Sequence, residues 1–222
     1  MKIMIAGLLL LALAPLAALA QFTGKLVYEV DGTGTRLVIT YYQNGNQAHL
    51  EAYNIKVNGA VTDTTTLKPQ DTTLYDFSKG SATTLVFRSH LAVVRPFTAQ
   101  LLMSSGVKVA SATVQQVGKD IINGYHCTHY LETIGMSKHD IWVTNDLNVT
   151  PSLMFISSYL YYEPGHPHLQ PLTAAGCTGV VVKTMFGAAG IPPVTMNLIS
   201  IDTRTTLSPA LFRIPSYYTV RN

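Results

Sequence analysis

From Phe22 to Asp31 apolar and polar positions alternate. Phe22, Leu26, Tyr28 and Val30 fall on one side and Thr23, Lys25, Glu29 and Asp31 on the other, the period-two pattern of a strand with one buried face. Asp31-Gly32-Thr33-Gly34 predicts a turn into a second strand, Arg36 to Tyr42, with Leu37, Ile39 and Tyr41 on one side. Asn44-Gly45 predicts the next reversal, because Asn-Gly between alternating runs is a strong hairpin signal. Gln47 to Tyr53 and Ile55 to Val61 follow as third and fourth strands of an antiparallel meander. Thr62 to Thr73, polar and interrupted by Pro69, reads as a loop, and Leu74 to Phe77 with Thr83 to Arg88 as a hairpin around Ser78-Lys79-Gly80.

Pro96 allows two readings: the opening of a short helix through Phe97, Leu101 and Leu102 to Gly106, which we favour, or an edge strand. Strand rhythm returns from Val107 to Val117, and Asn123-Gly124 turns into Tyr125 to Thr133, which pairs with His139 to Thr144 across Gly135. Thr150-Pro151 predicts a helix start with Leu153, Ile156 and Leu160 along one stripe. Glu163 to Pro171, with three prolines and Gly165, reads as a loop. Val180 to Phe186 and Val194 to Thr203 close the strand series, and Ser208-Pro209 caps a last short turn. The pattern is that of a mainly β protein with a few short helices, with no internal repeat.

Ahead of the first strand, Lys2 precedes an unbroken apolar run that contains Pro15 and closes on Ala18-Leu19-Ala20. This is the outline of a secretory signal peptide over residues 1–20, with cleavage before Gln21 favoured over retention as an anchor. Residues 21–222 then form a single domain, periplasmic or secreted. No later apolar run approaches the length that spans a bilayer, so no transmembrane segment is expected after cleavage. Charged residues make up only 12% of the chain, its formal net charge is +3, and no cluster of Lys or Arg occurs, which disfavours nucleic acid as a partner. Two cysteines, Cys127 and Cys177, are present. In an oxidising compartment a disulfide between them is favoured, with two separately buried thiols as the alternative.

No strong catalytic motif is found. His126 and His129 sit three apart on a predicted strand and so face opposite ways, which prevents joint chelation. His166 and His168 lie in the Pro-rich loop without a third ligand nearby, and no metal or other cofactor is expected. Ser105 and Lys108 match the Ser-x-x-Lys string of penicillin-recognising enzymes, but the companion strings are missing. Aromatics are the remaining resource. Twelve Tyr, seven Phe and the single Trp142 suit a greasy cavity, although each of Tyr41-Tyr42, Tyr161-Tyr162 and Tyr217-Tyr218 is also explained by one core ring and one half-buried ring.

The strings Gly124-Tyr125-His126-Cys127-Thr128-His129-Tyr130, Ile141-Trp142-Val143-Thr144-Asn145-Asp146-Leu147 and Phe212-Arg213-Ile214-Pro215-Ser216-Tyr217 resemble a large family of exported bacterial domains of unknown function. That family is itself similar to the lipoprotein-carrier superfamily. The resemblance implies a strongly curved antiparallel sheet or incomplete barrel, its open side plugged by helices, of the kind carriers use to shelter acyl chains. It carries over no ligand-binding residue. Low charge, abundant aromatics and interior size point to a hydrophobic or acyl ligand on the face bearing Tyr28, Leu37, Ile39 and Tyr41, partly covered by the helix with Leu153, Ile156 and Leu160. Two functions are expected: a periplasmic carrier or sensor of such a ligand, or a non-catalytic envelope module with a filled core that binds an envelope protein or lipoprotein.

Overall fold

The structure, a computed structural model, describes residues 22–32, 35–56, 69, 71–96, 112–147, 169–188 and 191–222. Among the described residues, twelve strands form one open sheet. In chain order they are β1 (Thr23–Gly32), β2 (Thr35–Asn44), β3 (Gln47–Lys56), β4 (Asp71–Asp76), β5 (Ser81–Val86), β6 (Leu91–Pro96), β7 (Ala112–Ile122), β8 (Tyr125–Ile134), β9 (Ser137–Thr144), β10 (Val180–Ala188), β11 (Ile191–Asp202) and β12 (Thr219–Arg221). The order across the sheet is β12-β6-β5-β4-β3-β2-β1-β11-β10-β9-β8-β7. Two meanders, β1 to β6 and β7 to β11, thus meet where β1 pairs antiparallel with β11.

The hairpins form where turn chemistry permits. Asn123 and Gly124 both take positive φ, 53° and 83°, the pair of left-handed residues that a two-residue type I′ turn needs. Between β2 and β3 the turn residues are Gly45 and Asn46, one position later than the expected Asn44-Gly45, because Asn44 still pairs with Gln47.

Four expectations are corrected. Ile55 and Lys56 continue β3, and the rest of the expected fourth strand, 57–61, lies outside the described residues. Asp71 to Thr73, read as loop, belong to β4, where Thr72 is buried. Pro96 ends β6 opposite Ser81, beyond the Leu91 to Val93 stretch that pairs with β12, at a strand terminus where proline is tolerated. The end of the expected Glu163 to Pro171 loop is helical in α1 (Leu169–Ala174), since proline fits a first helical turn. The helices expected over 97–106 and 153–160 lie outside the described residues. Among the described residues the helical elements are α1 and a 3₁₀ turn, Pro209–Phe212, capped by the Ser208 hydroxyl accepting from the Ala210 N–H. None is long and apolar enough to cross a membrane.

Strand pairing sorts side chains onto two faces. One carries the main core, with Leu26, Tyr28, Ile39, Tyr41, Ile141, Met196 and Leu198 buried. The opposite face of β4 to β6 holds a smaller cluster, Leu74, Leu85, Ala92 and Tyr218, with Ile214 packed on it. The chain end closes this side: Thr219 donates its N–H to the His90 carbonyl at 2.8 Å, and β12 then runs parallel to β6.

Candidate functional site

The expected apolar face is built by register. Val30 of β1 lies opposite Leu37, Tyr28 opposite Ile39 and Leu26 opposite Tyr41, so Tyr28, Leu37, Ile39 and Tyr41 share one face. The same face continues through β11, where Met196 pairs with Val30 and Leu198 with Tyr28. It extends further through Thr184, Ile141 and Tyr130, giving a lateral row over six strands from Leu37 to Tyr130. Met196, Leu198, Ile141 and Tyr130 were not assigned to this face from sequence, although alternation within β8, β9 and β11 carries the signal. Which strands lie side by side, and hence which alternating sets join, is a long-range property. Leu153, Ile156 and Leu160 lie outside the described residues.

The face is tightly occupied. Tyr28 and Tyr41 have no exposed surface, while Leu37 is partly buried beside them. The Tyr28 hydroxyl donates to the Val181 carbonyl at 3.1 Å, reaching past β11 to the irregular register between Val181 and Lys183 on β10. The Tyr41 hydroxyl donates to Gln43 Oε1 at 3.2 Å. Burial pushes both phenols well above their ordinary pKa. A cleft of about 580 Å³ does exist, but it lies at the β7–β8 end of the sheet and has a charged lining that includes Lys119, Asp120, His126 and Asp146. It is not the apolar hollow expected.

The expected disulfide is not formed in this structure. Cys127 and Cys177 are both buried thiols. Cys127 lies opposite Thr144 in the β8–β9 ladder, and by alternation it points away from Tyr130 and Glu132. Cys177 lies on the Tyr130 and Glu132 side, close enough for its charge to act on Tyr130 and for the Glu132 charge to act on it. Burial pushes the Cys177 thiol up to about 12, with Glu132 adding to the effect, and burial raises Cys127 as well.

His126 and His129 take separate partners, consistent with their opposite faces. Asp146 Oδ2 accepts the His126 N–H at 2.7 Å and lies 3.2 Å from its Nδ1. The His126 N–H, ahead of its ring and Thr144, holds the Asp146 carboxyl below the usual range. His129 Nε2 lies 2.7 Å from Asp140 Oδ1, and its ring stacks on Trp142 at 4.2 Å. Lys183 Nζ sits 5.0 Å from the Trp142 ring centre. Tyr41 is a core ring and Tyr42 half-buried, as expected, whereas beside the core ring of Tyr218 Tyr217 is 65% exposed and not half-buried. Tyr161, Tyr162, His166, His168, Ser105 and Lys108 lie outside the described residues.

Comparison with known proteins adds the family. No curated protein sequence matches the chain. A solved structure of PNGF-II is 14% identical, aligning 90% of this chain with 30% of its own at a TM-score of 0.49. MucB in complex with MucA(peri) is 8% identical, with 90% of this chain aligned to 57% of that one and a TM-score of 0.43. A putative outer membrane lipoprotein-sorting protein domain from Vibrio parahaemolyticus is 9% identical, with 85% and 88% covered and a TM-score of 0.30. The chain thus spans less than a third of PNGF-II and just over half of the MucB structure. The model of a domain of unknown function, DUF4412, matches residues 22–218, nearly the whole sheet, and the chain belongs to that family.

Proposed function

We propose that this chain is an exported envelope protein, a periplasmic carrier or sensor that holds a hydrophobic ligand against the apolar sheet face. The observation that carries the proposal is the continuous row on that face from Leu37 through Val30, Met196, Thr184 and Ile141 to Tyr130. A single apolar face this wide suits a flexible hydrocarbon, since each buried CH₂ contributes about 0.8 kcal/mol. Tyr28 and Tyr41 are covered, so a ligand reaches them only by displacing what lies over them. In this proposal the leader is removed between Ala20 and Gln21, which intact-mass measurement of exported protein tests; a mass retaining Met1 to Ala20 contradicts it.

Titration with a fluorescent fatty acid tests the binding. Wild type should bind at micromolar concentrations, and Ile39→Asp should lose binding. A circular-dichroism melt of the variant separates loss of the site from loss of the fold, and a folded wild type that binds no acyl probe overturns the carrier.

One observation favours a second reading, a binding scaffold with a filled interior for an envelope protein or lipoprotein. Both fully buried phenols already have protein acceptors, Val181 and Gln43, as core groups do.

A further inference from the structure

We infer that the apolar face ends in a polar seat for an amine, in which Glu132 takes the ammonium head of a hydrophobic ligand whose chain lies along the face. This rests on the reading of that face as a ligand site and specifies the ligand's class. Glu132 of β8 lies opposite His139 of β9 and Val114 of β7, on the same face as Tyr130 and hence as Tyr28 and Leu37. Its side chain has no exposed surface, and among the described residues neither carboxylate oxygen has a hydrogen-bond partner. His139 Nδ1 stands 3.1 Å from Oε2, within ion-pair range but out of line for a hydrogen bond.

Among the described residues the surroundings supply little else. Val114 lies on the β7 side, and from β10 the Phe186 ring stands edge-on to His139 at 4.5 Å. The turn after α1 engages the Tyr130 hydroxyl through the Gly176 carbonyl at 3.0 Å, and the Glu132 charge acts on the next residue, Cys177. Among the described residues, the titratable groups on this side are His139 and Tyr130, which share the face of Glu132, and Cys177, on which the Glu132 charge acts. An ionised carboxylate only accepts hydrogen bonds, and buried acceptors are normally satisfied. A primary ammonium brings three N–H donors and the opposite charge. A fatty-acid carboxylate in the same place meets a like charge.

Calorimetric titration with dodecylamine and with dodecanoate at pH 7.5, below micelle formation, tests the seat on wild type and on Glu132→Gln. Wild type should bind dodecylamine about tenfold tighter or more, and Glu132→Gln, verified as folded by its melt, should bind both probes with that preference gone. Equal affinities in wild type, a preference for dodecanoate, or a preference that survives in Glu132→Gln overturns the seat while leaving the carrier standing. Binding of neither probe overturns the carrier and the seat together. Should Glu132→Gln not fold, the wild-type comparison alone decides.

Discussion

Replacing Tyr28 by Phe removes one oxygen from the centre of the sheet and nothing else. The ring keeps its place between Ile39 and Leu198, so no cavity opens. What is lost is the 3.1 Å hydrogen bond to the Val181 carbonyl, a tie between β1 and β10 across the intervening β11. A net hydrogen bond is worth about 0.5–1.5 kcal/mol, and a buried acceptor left unsatisfied costs about 1–3 kcal/mol. Tyr28 has no exposed surface, which places the loss at about 1–2 kcal/mol. For a chain of this size that corresponds to about 2–8 °C in Tm. Urea unfolding of wild type and Tyr28→Phe measures it, with Tyr217→Phe as the control, because Tyr217 is 65% exposed and should change little. A Tyr28→Phe variant as stable as the control would mean that the hydroxyl faces solvent in an open cavity, and the packed description of this face would fail.

Leu26, fully buried beside Tyr41, should cost about 3–5 kcal/mol when cut to Ala, and denaturant unfolding that shows under 1 kcal/mol would place it outside the core. Thiol counting on denatured, non-reduced protein should find two thiols, and on native protein both should react slowly, since burial raises their pKa; a count of zero would restore the disulfide. Acidification should weaken the fold in two stages. Burial, outweighing Glu51 and the Leu211 backbone, holds His49 below its ordinary pKa, so the stability of the neutral ring is present above about 6.5 and lost as pH falls through that region. Asp146, held down by the His126 N–H, and Asp202, held down by the Thr205 hydroxyl, contribute stability that is full above about pH 4 and lost as pH falls through their lowered values. Carboxyl chemical shifts that titrate at or above the ordinary Asp value would contradict the second stage, and a Tm flat from pH 7 to 5 the first.

The sequence revealed what is local. Asn123-Gly124 specifies its own turn, and the alternation of β1, β2, β8 and β9 names the inward residues before any partner is known. Tyr28, Leu37, Ile39 and Tyr41 could therefore be placed on one face in advance. Pairings between distant segments were hidden. Nothing in Leu26 or Tyr28 identifies Ile201 and Leu198 as neighbours, and three residues of β12 give no pattern that points to β6. Pro96 misled because its ring suits a helix start as well as a strand end. Cys127 and Cys177 could be paired only by elimination, which carries no geometry, and the structure holds both as buried thiols. Glu132 gave no signal either, since an isolated acid in a strand normally points to water.

The most direct test of the account is mass spectrometry of lipids extracted from the folded protein after purification from the exported fraction. The account predicts one class of hydrophobic amphiphile, near one molecule per chain, that is absent from an Ile39→Asp preparation shown to be folded. A folded wild type that yields no such molecule, and binds no acyl or alkylamine probe when titrated, would contradict it and leave the sheet as a filled scaffold.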